Sequence, residues 1–193
     1  MKQLKRIAAT ALTAAALAVT LGAGSASATT LEIEGVTQNQ SVDINLGLAL
    51  GSSAVLSRTD GSLANTCTNS RIRGSTVTYT GATVTTWANT LSFESCERWV
   101  TVHFPGKLHI EHIGGTTDGT VSSSGAEVTV GSPFGTLNCK TGFGVDLGRL
   151  TGSKWGWAML DVNAVLNCGF LVPSATWKAT YETTWAQGLG VSA

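Results

Sequence analysis

The sequence predicts an all-β fold, an antiparallel sandwich or Greek-key barrel of about ten strands carrying two disulfides. Three observations lead there. After Leu21 no long segment repeats apolar residues at helical spacing. Short alternating runs rich in Val, Thr, Ile and aromatics are broken by Gly, Asn-Thr or Asp-Gly roughly every 8 to 12 residues. Four cysteines, Cys67, Cys96, Cys139 and Cys168, stand without CxxC spacing. Turns this close together leave no room for crossover helices, which argues against an α/β class.

Lys2, Lys5 and Arg6 precede the uncharged run Ile7 to Leu21, and Ala26-Ser27-Ala28 then supplies a small-x-small cleavage pattern. The run is 15 residues long, short of the roughly 20 that cross a bilayer as a helix. Residues 1–28 are therefore expected to be a signal peptide. Residues 29–193 are expected to form a single β domain, secreted or held at the cell surface, with no transmembrane segment.

Val42, Ile44, Leu46 and Leu48 alternate with polar or small residues, the mark of a strand buried on one face. Asp60-Gly61 follows as a turn signal. Further strands are expected near Thr76 to Thr80, Ala82 to Trp87, Leu91 to Cys96, Trp99 to Phe104 and Lys107 to Ile113, the last two separated by Pro105-Gly106. Gly119 to Ser123 and Ala126 to Val130 are read as strands joined at a Ser/Gly turn, and a Gly-rich stretch runs on through Gly152. Gly156 to Leu166 and Trp177 to Trp185 close the fold. In the latter, Trp177, Ala179, Tyr181, Thr183 and Trp185 share the face that needs a core.

Removing 28 of the 193 residues leaves 165, ample for one core. Three of the 12 Lys and Arg leave with the leader, so nine face 12 Asp and Glu with no run of either sign. Neither a nucleic acid nor an anionic membrane is attracted strongly to such a chain. Charged residues are only 12% of the whole, about half the usual share, and the surface is expected to carry hydroxyls instead. In an oxidising compartment an even cysteine count reads as disulfides rather than a metal site. Three pairings are possible. The local one, Cys67 with Cys96 and Cys139 with Cys168, is preferred because each closes 29 positions that hold strands able to bring the chain back beside its start.

From Gly106 onward the chain contains Gly106-Lys107-Leu108-His109-Ile110, Gly119-Thr120-Val121, Phe134-Gly135-Thr136, Asp146-Leu147-Gly148, Leu160-Asp161-Val162-Asn163-Ala164-Val165 and Pro173-Ser174-Ala175-Thr176-Trp177. Over this C-terminal half it resembles a group of small uncharacterised secreted β-rich proteins of actinobacteria. The resemblance implies export and brings no activity with it. Members often carry Cys immediately before the Pro-Ser pair, where this chain has Val172.

His103, His109, Glu111 and His112 lie within ten positions. On a strand His109 and Glu111 share a face, and His103 would have to join them across the Pro105-Gly106 turn to make a third metal ligand. The plainer reading is a solvated strand face. Gly-x-Ser-x-Gly is missing, Ser122-Ser123-Ser124-Gly125 reads as a hairpin turn, and paired cysteines supply no thiolate. Glu32 and Glu34 read as an edge-strand device on one face. No cofactor and no catalytic residue is expected, although a secreted hydrolase at the His cluster stays among the alternatives. Trp155 and Trp157 stand two apart beside a strand whose other face, Leu160, Val162 and Ala164, is apolar. If only one face is buried, both indoles point outward as a platform for a cell-envelope glycan, a small apolar ligand or a surface protein. The leading expectation is an exported non-enzymatic β domain with a structural or binding role.

The intact mass of secreted protein under non-reducing conditions should fit a chain beginning within two residues of Thr29 with four hydrogens missing. Two cysteines open to alkylation would contradict it.

Overall fold

A computed structural model describes residues 28–193 except Tyr79, Phe134, Leu171, Trp185 and Ala186. The leader expected at 1–28 lies, all but Ala28, outside the described residues, as does the Trp185 expected on the last apolar face. Among the described residues there are sixteen strands, all paired antiparallel. The first half contains β1 (Thr29–Ile33), β2 (Val36–Thr37), β3 (Asp43–Leu48), β4 (Ala54–Arg58), β5 (Leu63–Thr78), β6 (Thr80–Gly81), β7 (Val84–Cys96) and β8 (Val100–Phe104). The second contains β9 (Lys107–His112), β10 (Gly119–Ser124), β11 (Glu127–Ser132), β12 (Gly135–Lys140), β13 (Val145–Thr151), β14 (Met159–Leu166), β15 (Ala175–Thr183) and β16 (Leu189–Ser192).

Eight strands close a ring in the order β14, β13, β10, β9, β7, β5, β3, β15 and back to β14. β4 continues the place of β3, pairing with the remaining lengths of β15 and β5. Alternate side chains point inward: Leu160, Val162, Ala164 and Leu166 from β14, and Ala175, Trp177, Ala179, Tyr181 and Thr183 from β15, are all buried. A ring of eight strands is just wide enough for its own side chains to fill. Two inward polar side chains, Ser70 and Tyr181, are hydrogen-bonded to each other inside. Ser70 Oγ donates to Ser92 O at 2.7 Å, so the Tyr181 hydroxyl is the donor in its 2.8 Å bond to Ser70 Oγ. Burial holds the Tyr181 phenol well above its ordinary pKa and keeps that proton in place.

Glycine lets strands meet where a side chain would collide. At Gly148 (φ +138°) an added Cβ would lie 2.0 Å from Asp161 O, across the β13–β14 pair. The β10–β13 register shifts at Val121/Ser122, opposite the same glycine.

Two small sheets close the ends. At one, β16, β1 and β2 lie in order with β6 also on β1, and Leu31, Leu189 and Val191 are buried in the core. Thr29 Oγ1 stitches this sheet to the barrel, donating to Ala82 O (3.0 Å) and accepting from His112 N (3.1 Å). At the other end β12, β11 and β8 form a lid whose Val130, Leu137 and Cys139 belong to the core, with Val100, Val102 and Val128 packed against it. Cys67–Cys96 joins β5 to β7 in register, and Cys139–Cys168 ties the lid to the segment after β14. Lys140 N donates to Asn167 O (2.8 Å) and Asn167 N to Lys140 O (3.1 Å), reinforcing the second tie. Both pairs are those preferred from the sequence, and Val172 is buried in the core.

Several expected elements differ. The Gly-rich stretch before Gly152 contains β12 and β13. The strand expected from Gly156 begins at Met159, and Trp155 and Trp157 lie in the preceding loop. Thr76 to Thr80 is mainly the end of a 16-residue β5, because inward Ser70, Gly74 and Thr76 hide its apolar alternation. Ser122 to Ser124 belong to β10, and Gly125 sends the chain into another sheet instead of turning a hairpin. Glu34 has left β1 at φ +51°, so it does not share a strand face with Glu32.

Trp177 is 8% exposed, with edge contacts to Phe93 and Tyr181. Trp177→Ala should cost about 3 to 5 kcal/mol, whereas Tyr181→Phe, which leaves Ser70 bonded to Ser92 O, should cost about 1 kcal/mol. Urea midpoints at constant m-value measure both.

Candidate functional site

β13 ends at Thr151 and β14 begins at Met159, and the loop between them is pinned at both feet. Gly152 N donates to Asp118 Oδ1 (2.9 Å), while Arg149 Nη2 holds Asp118 Oδ2. Only glycine fits here, since an added Cβ at 152 would stand 1.9 Å from Thr117 O. Ser153 N donates to Leu189 O (2.9 Å), and Ser153 Oγ to Trp155 O (2.7 Å). At the far foot Ala158 is fully buried, and its N–H is accepted by Thr183 Oγ1 (3.1 Å), which donates onward to Gln187 O (2.9 Å).

Between these anchors Trp155 is 77% exposed and Trp157 52%. Two large apolar rings left in water on a fixed loop are costly in hydration and mark a contact surface more often than scattered aliphatic residues do. The outward face of β14 extends the surface. Met159, 38% exposed, pairs with Thr151 and Glu182. Asp161 pairs with Arg149 and Thr180 and accepts from Thr180 Oγ1 (2.8 Å), and Asn163 pairs with Lys178. A row of hydroxyl, amide and charged groups thus continues from the indoles along one side of the barrel. Met159 was not singled out in the sequence, although the alternation that turns Leu160, Val162 and Ala164 inward places it on the outward face.

The histidines do not converge. β8 belongs to the lid and β9 to the barrel, so the Pro105-Gly106 turn carries the chain between sheets and does not set His103 beside His109. His103 Nε2 bonds Thr129 Oγ1 (2.8 Å), and His112 Nε2 donates to Thr116 O (2.8 Å). His109 uses both ring nitrogens, Nδ1 with Thr85 Oγ1 (3.1 Å) and Nε2 with Ser124 Oγ (3.0 Å). Glu111 is exposed on the outward face. Among the described residues no three His, Cys, Asp or Glu side chains gather as a metal would require. Also among the described residues, no helix is long and apolar enough to cross a membrane.

Trp87 and Trp99 also reach solvent, but each is engaged: Lys107 Nζ stands 4.0 Å from the Trp87 ring centroid, and Trp99 lies against Gly131.

Comparison with protein-family models, curated proteins and solved structures finds no match.

The Arg149 guanidinium, and secondarily the Gly152 N–H, hold the Asp118 carboxyl below the usual range against the opposing effect of its burial. A depressed carboxylate pKa stabilises above the unfolded value and is lost as pH falls through the folded one. The indole resonances of Trp155 and Trp157 should therefore stay fixed from neutral pH down to roughly pH 4 and move below it. Asp118→Ala should shift them already at neutral pH.

Proposed function

We propose that this chain is an exported β domain that works by binding, and that Trp155 and Trp157 form its contact surface for a cell-envelope glycan. The observation that carries the reading is the exposure of both indoles on a loop anchored at Gly152, Ser153 and Ala158. The apolar C–H face of a pyranose ring stacks on an indole, while its hydroxyls need donors and acceptors close by. Thr151, Glu182, Asp161 and Thr180 supply such groups along the neighbouring strands. A loop already held in place loses little conformational freedom on binding. The cationic leader and the two disulfides support export, since such bridges persist in oxidising compartments.

Trp155→Ala and Trp157→Ala should each reduce retention on insoluble cell-wall polysaccharide while changing unfolding free energy by no more than roughly 0.5 kcal/mol. Pull-down depletion and urea unfolding measure the two quantities. Undiminished retention in the double variant would remove this surface from the binding role.

A further inference from the structure

On the outer wall of the barrel β7, β9 and β10 lie side by side. Their registers set two outward rows: Trp87 opposite Lys107 and Lys107 opposite Ser124, then Thr85 opposite His109 and His109 opposite Ser122. The alternate residues Val84, Leu108, Ile110 and Ser123 are buried, so Thr85, His109 and Ser124 stand on the outer face, each half-buried. There the His109 ring is held between two hydroxyls, with Thr85 Oγ1 at 3.1 Å from Nδ1 and Ser124 Oγ at 3.0 Å from Nε2. Among the described residues neither hydroxyl has another hydrogen-bond partner. A neutral imidazole carries one N–H and one free lone pair, so it donates to one hydroxyl and accepts from the other. With the proton on Nδ1, Thr85 Oγ1 accepts it and Ser124 donates its own proton to Nε2. That is a nucleophile, a base and a group that orients the base, all within hydrogen-bond reach.

A second observation selects Ser124 rather than Thr85 as the nucleophile. Ser123 pairs with Val145, so the segment leading into β13 runs beside Ser124. On that segment Phe143 is 96% exposed, with its ring centroid 6.5 Å from that of His109. Gly125, next in the chain after Ser124, has open space where a Cβ would stand. A substrate carbonyl therefore has room on the Ser124 side and an apolar ring against which the rest of the molecule can lie. Lys107, directly opposite Ser124 in the ladder, adds a positive charge to the same face. Its Nζ stands 4.0 Å from the Trp87 centroid, and among the described residues no carboxylate pairs with it.

We infer that Ser124, His109 and Thr85 form a hydrolytic site for small carboxylic esters with an apolar acyl group, an activity beyond binding that does not depend on the indole surface. Ser124 Oγ attacks the ester carbonyl carbon while its proton passes to His109 Nε2. The bond from that carbon to the alcohol oxygen then breaks, and the alcohol leaves with the proton from Nε2, giving acyl-Ser124. Water repeats the sequence: it gives a proton to Nε2, its oxygen bonds the acyl carbon, and Ser124 Oγ leaves and takes the proton back. Lys107 supplies positive charge for the carbonyl oxygen as it becomes negative in both steps. Ser124 and His109 are the catalytic residues, and Thr85 is a positioning residue that fixes the Nδ1–H tautomer. Being neutral, Thr85 steadies the imidazolium less than a carboxylate would, which restricts the site to esters and excludes amides with their poorer leaving groups.

The test starts with a fluorophosphonate probe, which loses fluoride as an activated serine oxygen bonds its phosphorus. It should label the wild-type protein once, and fragment-ion mass spectrometry should place the label on Ser124. Hydrolysis of p-nitrophenyl butyrate should saturate with substrate and fall roughly 100-fold or more in Ser124→Ala and in His109→Gln. Thr85→Val should lower kcat about tenfold or more, whereas Thr85→Ser, which keeps the hydroxyl and drops the methyl group, should keep the wild-type rate. The acetate ester should be poorer by roughly twofold per missing CH2, a difference that Phe143→Ala should remove. The double variant Trp155→Ala/Trp157→Ala should label and hydrolyse as the wild type does, so this site and the indole surface succeed or fail separately. The assignment is overturned if no serine is labelled, if the label sits on another residue, or if Ser124→Ala retains the rate. Labelling of the wild-type protein decides the point even where a variant fails to fold.

Discussion

Every strand of the central ring has a hydrogen-bonded neighbour on both sides, and the pairing of β14 with β15 along their length makes this possible. An open sheet of this size would present two rows of unmet N–H and C=O groups for other chains to pair with. Closure removes them, but it also fixes which residues point inward, how wide the interior is and where connections emerge. The loops after β9 and β13 fall at one end, and those after β10, β12 and β14 at the other. The exposed indoles and the lid consequently occupy opposite ends of one closed wall.

The two ends are held by different means. At the lid end Cys139–Cys168 ties the lid to the segment after β14, which the backbone joins only through the Lys140–Asn167 bridge, while Cys67–Cys96 staples the end of the β5–β7 ladder. At the indole end the ties are single hydrogen bonds through Thr29, Asp118 and Thr183, side chains that each satisfy backbone groups left over where strands stop. Such capping hydroxyls and carboxylates do for loop feet what ladder bonds do for strands.

How much of this could be read from the sequence depended on what filled the inward positions. β3 and β15 were legible because Ile44, Leu46, Trp177, Ala179 and Tyr181 keep strict alternation against polar neighbours. β5 was only partly so, since its inward residues include Ser70, Gly74 and Thr76, whose burial depends on partners far away in the chain. β13 was hidden by Gly148, a residue that reads as a break yet is required by the close approach of Asp161 O. The same limit applied to the site. Outward indoles were a conditional reading from the opposite face of β14, and the loop that holds them depends on Asp118 and Leu189, which no local pattern connects to it. The apolar cavity between barrel and lid left no local trace, being lined by residues of eight strands.

β1 and β16 lie antiparallel, with Thr30 opposite Ser192 and Ile33 opposite Leu189. The two ends of the domain therefore leave the surface side by side. Opposed mechanical force applied there would peel the backbone pairs apart one after another, beginning at Thr30 and Ser192, instead of shearing all of them at once. The small end sheet would then yield under modest load while the closed ring behind it stayed intact.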